Sequence, residues 1–463
     1  MQDDLPRSRA LARAARCFDS GAFRDRLSAL VAIPSTSQEA EAAPALARYL
    51  TEGIAPWLDA LGFTHAIHPN PAAGFGPILT AARIEDPALP TVLTYGHGDT
   101  VRGLAEQWHE GRDPWRLGVE DGRWYGRGTA DNKGQHAANL AALEAVLAER
   151  GRLGFNLKLL LETGEERGSP GLRAFVADHA DRLAAEVLIG SDGPRVDPAV
   201  PTIATGTRGT FHFDLVVSLR PGGVHSGHWG GVAADPAILL AHALASLMDR
   251  HGRILVRGWL PAGGVPAPVA TVLAGCPVEP GDAAARIDPD WGEPGLTAAE
   301  KRYGWNSLIV LAMVSGRPEN PVNALAPDAR AHCQIRYTVD SDPADFAPAL
   351  RAHLDAAGFG MVRIENASVR MAASRTDPAD PWVRRVAESL ASSLGKRVQV
   401  IPNASGGLPG DVFADLLGVK LVWVPHSYNG CGQHGPDEHL LAAVAREALV
   451  GMAGVWWDLG AAL

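Results

Sequence analysis

The stretch Thr91–Gln135 constrains this chain more than any other. It reads TVLTYGHGDT, then a spacer holding Trp108 and Trp115, then GRWYGRGTADNKGQ. Thr91–Tyr95 is a short, β-branched apolar run that stops at a glycine, the pattern of a buried strand. His97 and Asp99 follow at once, with only Gly98 between them. On an extended backbone, residues two apart point the same way, so this pair suits a metal ligand and the group that orients it. Asp131 comes after a glycine-rich turn and before the helical pattern of Ala137–Leu147. A carboxylate there would sit beside a helix N-terminus, facing the crevice above the strands. Taken singly, His97 is an ordinary loop histidine and Asp131 an ordinary helix N-cap. The remaining segments decide whether they are more.

The same pattern, an apolar run delivering a charged residue, recurs along the chain. Phe155–Leu161 leads into TGEERGSPG, which carries Glu165 and Glu166. Adjacent carboxylates on most backbones cannot share one role. One can ligate a metal while the other faces the substrate and handles protons, or both can be a solvated acidic turn. Their place at the end of a buried strand favours the crevice. Ala185–Gly190 ends in Ser191 and Asp192, and the apolar run Lys420–Val424 precedes His434 in GQHGPDEH. Helical spacing appears at Arg24–Val31, Ala43–Leu61 and again from Pro381.

After Pro201 the texture changes. Gly209–Leu219 alternates apolar and polar residues, as an antiparallel strand open on one face does. RPGGVHSGHWGG follows, a glycine-rich loop with His225 and His228. A helix at Ala233–Met248, strands at Leu308–Val314 and Ala329–Val339, and a helix at Asp345–Ala357 predict a separate α+β domain. The expected boundaries are a catalytic part over 1–205, an inserted domain over 206–370 and a second catalytic part over 371–463.

At 463 residues, two domains are the natural expectation. A net charge of −10 leaves no basic footprint for nucleic acid. No run approaches the roughly 18 apolar residues of a membrane span, and Met1–Ala22 lacks the apolar core of a signal peptide. Cys17, Cys276, Cys333 and Cys431 are far apart and read as free thiols in a reducing, cytoplasmic setting.

Collected, the strand-end residues are His97, Asp131, Glu166, Asp192 and His434, with Asp99 and Glu165 beside them. Two histidines and several carboxylates suit two zinc-class ions bridged by one carboxylate. YGHGD, the W…PW spacer, WYGRGTADNKG, ETGEERGS, SDG, VHSG and the terminal histidine motif stand in the order of the M20 metallopeptidases, and the chain resembles their carnosinase-like dipeptidases. The resemblance implies a doubly wound catalytic domain interrupted by a smaller ferredoxin-like domain that forms a homodimer. It also implies two divalent ions, zinc first, with manganese or cobalt as alternatives, and a small peptide-like substrate.

Carried over residue by residue, it makes His97 and Asp192 ligands of one ion, Glu166 and His434 ligands of the other, and Asp131 the bridge. Asp99 would fix the tautomer of His97, and Glu165 would be the general base. His225 would reach across the dimer to the oxyanion, and Arg336, in QIRYT, would bind the substrate carboxylate. Gly406 and Gly407 match a substrate loop that in the family reads GGS-I-P, whereas here it reads GGLPGD. The loss of that hydroxyl points instead to an amide substrate without a free α-carboxylate, so a deacylase stands beside the dipeptidase.

Overall fold

The computed structural model describes residues 5–278, 286–404 and 406–461. Its largest sheet has eight strands: β1 (Thr64–His68), β2 (Ile78–Arg83), β3 (Thr91–His97), β4 (Asn156–Glu162), β5 (Val187–Gly190), β6 (Thr202–Ala204), β11 (Gln399–Ile401) and β12 (Lys420–Trp423). Four more strands form a separate sheet: β7 (Gly209–Ser218), β8 (Ser307–Val314), β9 (Asp328–Tyr337) and β10 (Arg363–Met371). The order in the large sheet is β1-β2-β4-β3-β5-β12-β6-β11. Strands β4, β3, β5 and β12 run parallel at its centre; β2 and β6 join them antiparallel on either side, β1 pairs antiparallel with β2, and β11 runs parallel to β6.

The central strands are apolar on both faces because both faces are covered. Val92, Leu157 and Val187 point into one core, which also holds Phe23, Leu143, Leu449 and Trp456. Their neighbours Leu93, Leu160 and Leu188 point into a second core with Phe175, Phe413 and Trp423. This is the doubly wound arrangement, and it puts the C-terminal ends of β3, β4 and β5 at one rim of the sheet. The long helix Lys133–Arg150 packs on the first face against the C-terminal helix Ala442–Ala461, which is buried along most of its length.

The smaller sheet has the order β8-β9-β7-β10, antiparallel throughout. It encloses a third core of Phe211, Phe213, Leu247, Trp259, Ile335 and Leu350. The stretch between Arg257 and Tyr303, which shows little periodicity in sequence, holds a short helix at Ala267–Leu273 and another at Ala298–Tyr303. Val269, Leu273, Ala299 and Tyr303 join the second core of the large sheet rather than the third.

Some elements lack a clear sequence signal. The helix Leu5–Asp19 buries only Ala10 and Ala14 and is tied down by ion pairs, Arg7 to Asp458 at 2.8 Å and Arg13 to Glu149 at 2.8 Å. Alanines give little periodic contrast, so the helix is hidden in a charged stretch. Strands β1 and β10 lie at sheet edges and are largely polar, so pairing rather than patterning makes them strands. Helix Ala43–Leu61 is one pattern in sequence but carries a π-helical turn at Tyr49–Ile54. Among the described residues, no helix is long and apolar enough to cross a membrane, and all four cysteines are free.

Candidate metal centre

Two groups of donors meet at the rim above β3, β4 and β5. His97 is the last residue of β3 rather than a loop residue beyond it. Its Nε2 lies 3.0 Å from Asp131 Oδ1 and 3.6 Å from Asp192 Oδ2. On the other side, His434 Nε2 lies 3.1 Å from Asp131 Oδ2 and 3.1 Å from Glu166 Oε2. The two carboxylate oxygens of Asp131 thus face different groups. His97, Asp131 and Asp192 form one set and Asp131, Glu166 and His434 the other, each with ligand atoms within 4.8 Å of one another. His97 and Asp192 are buried, whereas His434 has 58% of its side chain accessible.

The donor set fits divalent cations. Asp192 Oδ2 is buried and has no hydrogen-bond partner. A carboxylate oxygen in that state is costly unless a cation meets it. Burial and the neighbouring charge of Asp131 push the Asp192 carboxyl up to about 7, and the same two causes take Glu166 to about 7. Burial likewise raises Glu165. Hydrogen bonds to Asp131 and Glu166 raise His434 to about 11. Burial works against ionisation of Asp131, but the hydrogen bonds from His434 and His97 outweigh it and hold that carboxyl well below the usual range. The cluster therefore carries excess negative charge and borrows protons to offset it, which is what a metal would replace.

Asp99 does two things at once. Its Oδ1 lies 3.4 Å from His97 Nδ1, and its two oxygens accept the backbone N–H groups of Glu165 at 3.2 Å and Glu166 at 3.1 Å. Asp99 thus holds the first donor, whose Nδ1 lies 3.1 Å from the Asp99 backbone carbonyl oxygen, while the Asp99 carboxylate holds the short 3-10 turn Glu165–Arg167 that carries the glutamate pair.

Sequence reasoning missed Glu438. Its carboxylate accepts the N–H groups of Gly128 at 3.1 Å, Ala130 at 2.9 Å and Asp131 at 3.0 Å. It also forms a buried ion pair with Arg127 at 2.8 Å. It gathers the GRGTAD loop into the conformation that presents Asp131. The only signal was an acid four residues after His434, which reads as a surface charge. Gly134 backs the same loop: a Cβ there would stand 2.0 Å from the carbonyl oxygen of Thr129. Asn132 donates to the Ser191 carbonyl at 2.8 Å and so ties this loop to the end of β5 next to Asp192.

A pocket of about 360 Å³ opens over these residues, and its lining includes Asp131, Glu165, Asp192, Arg336 and His434 together with Gly406, Gly407 and Leu408. The structure therefore brings Arg336 and the GGLPGD loop to the metal side. His225 is elsewhere. It is exposed, its Nδ1 accepts the N–H of Gly227 at 3.1 Å, and it stacks on His228 with ring centroids 4.4 Å apart.

A doubly wound sheet with paired donor sets at the strand ends is the frame of a metal-dependent hydrolase. The sequence profile described as Peptidase family M20/M25/M40 matches residues 93–456, and the chain belongs to that family. It is a peptidase, and membership implies divalent metal ions. A cysteinylglycine-S-conjugate dipeptidase of Corynebacterium striatum is 30% identical over 380 residues, spanning 77% of this chain and 78% of the relative. A Beta-Ala-His dipeptidase of Mus musculus is 37% identical over 185 residues, 39% of this chain and 37% of the relative. Human carnosine dipeptidase 1 shares the fold, with a TM-score of 0.76 at 22% identity, covering 97% of this chain and 99% of that one.

Proposed function

We propose that the protein is a dinuclear metallodipeptidase that cleaves the amide bond of a small substrate with a free C-terminal carboxylate. The observation that carries this is Asp131, whose two oxygens each face a separate donor set. In this reading His97, Asp131 and Asp192 hold one ion and Asp131, Glu166 and His434 the other, with zinc as the first choice. Ions held there would polarise the scissile carbonyl and lower the pKa of water. Glu165, raised by burial, takes the proton from the attacking water and returns it to the leaving amine. Asp99 keeps His97 and the glutamate turn in place. Arg336, with Gly406 and Gly407, receives the substrate's C-terminal carboxylate. Leu408 both packs into the second core and lines the pocket, so it puts an apolar group where the family loop has a hydroxyl.

The same reading makes the protein a homodimer, its domains divided at 1–205, 206–370 and 371–463. Strand β8, at the edge of the smaller sheet, leaves Ile309, Val310, Leu311, Met313 and Val314 exposed. Such an edge invites a second strand, and a partner's copy of His225 would then supply the oxyanion donor. The test is hydrolysis of free and C-terminally amidated dipeptides, beside N-acyl amino acids, by zinc-loaded protein. Free dipeptides should be preferred, and Arg336→Lys should remove that preference, because lysine cannot make the bidentate contact. Equal turnover of free and amidated peptides would favour the deacylase instead.

A further inference from the structure

The polar face of the smaller sheet, opposite the third core, carries a hydrogen-bond chain that ends at Arg336. Antiparallel pairing sets Thr210 beside Arg336, His212 beside Gln334 and Asp214 beside His332. Strand alternation turns these residues to one side, while Phe211, Phe213, Cys333 and Ile335 turn to the core. Gln334 stands in the middle of the chain. Its Oε1 accepts from Arg336 Nε at 3.2 Å, and its Nε2 lies 2.8 Å from His212 Nε2. Arg336 forms no ion pair among the described residues, its Nη1 is buried without a partner, and it lines the metal-side pocket.

Each link of this chain fixes the next. A guanidinium has donors only, so it must meet the amide oxygen of Gln334 and not its nitrogen. The amide nitrogen, a donor, is then left to face His212, which accepts with a bare Nε2 and carries its proton on Nδ1. A doubly protonated ring would set N–H against N–H. The amide would then turn its oxygen to His212 and its donors to Arg336, and the arginine would lose its hold. The surroundings of the ring favour the neutral form. Burial first, then the charges of Arg370 on β10 and Arg336 on β9, lower the His212 pKa, and Asp214 on β7 opposes them. Protonation is thus reached only below the ordinary histidine value of about 6.5.

With Nε held by Gln334, the far end of the guanidinium is what a carboxylate meets. We propose that His212 and Gln334 are positioning residues for the substrate's C-terminal carboxylate, the neutral ring locking the amide and the amide locking the Arg336 fork toward the pocket. This rests on the dipeptidase reading, in which Arg336 takes that carboxylate. Neither His212 nor Gln334 is among the described residues lining the pocket. Both act through Arg336, so they set the preference for a free C-terminus and not the bond-breaking step.

The readout is the ratio of kcat/KM for Ala-Ala to that for its C-terminal amide, measured on zinc-loaded protein from about pH 7 down to about pH 5, across the histidine range. Loss of metal or of the general base in acid slows both peptides and cancels in the ratio. The ratio should fall about three- to tenfold on the acid side, the worth of one hydrogen bond, through KM rather than kcat. His212→Phe should give the low ratio at every pH. His212→Gln offers an amide oxygen that accepts from Gln334 and does not titrate, so it should keep the high ratio and lose the pH dependence. A histidine that only supports the fold would show no such split. A wild-type ratio that stays high and flat over this range overturns the proposal and leaves the dipeptidase reading standing, whether or not any variant folds. A fall that persists in His212→Gln overturns it too, since another group then titrates. Equal cleavage of the two peptides at every pH overturns both, because Arg336 then reads no carboxylate.

Discussion

Glu165 and Glu166 share one short turn yet face different partners. Glu166 Oε2 is 3.1 Å from His434, while Glu165 Oε2 is 3.9 Å from His97 and opens to the pocket. Glu165→Gln should therefore keep the metals and lose about two to four orders of magnitude in turnover, the usual worth of a general base. Metal analysis beside a rate measurement checks this, and loss of metal would exchange the two roles. The metal-free protein should also respond to pH. Asp192 and Glu166 titrate near 7 in the folded state, above the values of about 4 of unfolded carboxylates. Folded protein then binds more protons than unfolded, so this part of its stability is present below about pH 4 and is lost as pH rises through 7. His434, raised to about 11, acts in the same direction above its ordinary range. The melting temperature of chelated protein should fall as pH rises from about 4 through 7, and the gain on adding zinc should grow over that interval. A flat apo profile would mean the carboxylates are already ionised without metal.

Among the elements, the GRGTAD loop matters most because its backbone is held by a residue over 300 positions away. Glu438 accepts three of its N–H groups and neutralises Arg127. Glu438→Ala leaves a buried arginine and three amides without their partner, which should destabilise the fold by about 3–5 kcal/mol. Glu438→Gln keeps the shape and some hydrogen bonds, so it should fold while binding metal more weakly through a looser Asp131. Denaturant melts for the first variant and zinc titration for the second are the measurements. Wild-type zinc affinity in Glu438→Gln would show that the loop holds itself.

For the whole molecule, the open question is whether one chain makes a complete site. His225 sits in an exposed loop outside the metal-side pocket, and β8 presents an apolar edge. If two chains pair there and each lends His225 to the other, then Glu165→Gln and His225→Ala, both nearly inactive, should complement. After dissociation and random reassociation, roughly a quarter of all sites would carry neither defect. Activity near that level supports a composite site. No recovery, with mixed dimers shown by mass spectrometry, would place His225 outside catalysis.

The strand-end residues that make up the candidate centre were legible in the sequence because a strand buried on both faces must be an unbroken apolar run, and its end must return to polar residues at the sheet rim. TVLTY before His97, NLKLLL before the glutamate pair and VLIG before Asp192 are such runs, and local chemistry alone marks them. Polar edge strands such as β10 and the alanine-faced helix Leu5–Asp19 were not legible, since their apolar contrast is weak and their partners distant. Nor was the work of Glu438 on Arg127 and the loop beside it. An isolated acid or arginine in a sequence reads as a solvated surface charge. Only the packing of the terminal segment against the GRGTAD loop takes those charges out of water and sets what each must meet.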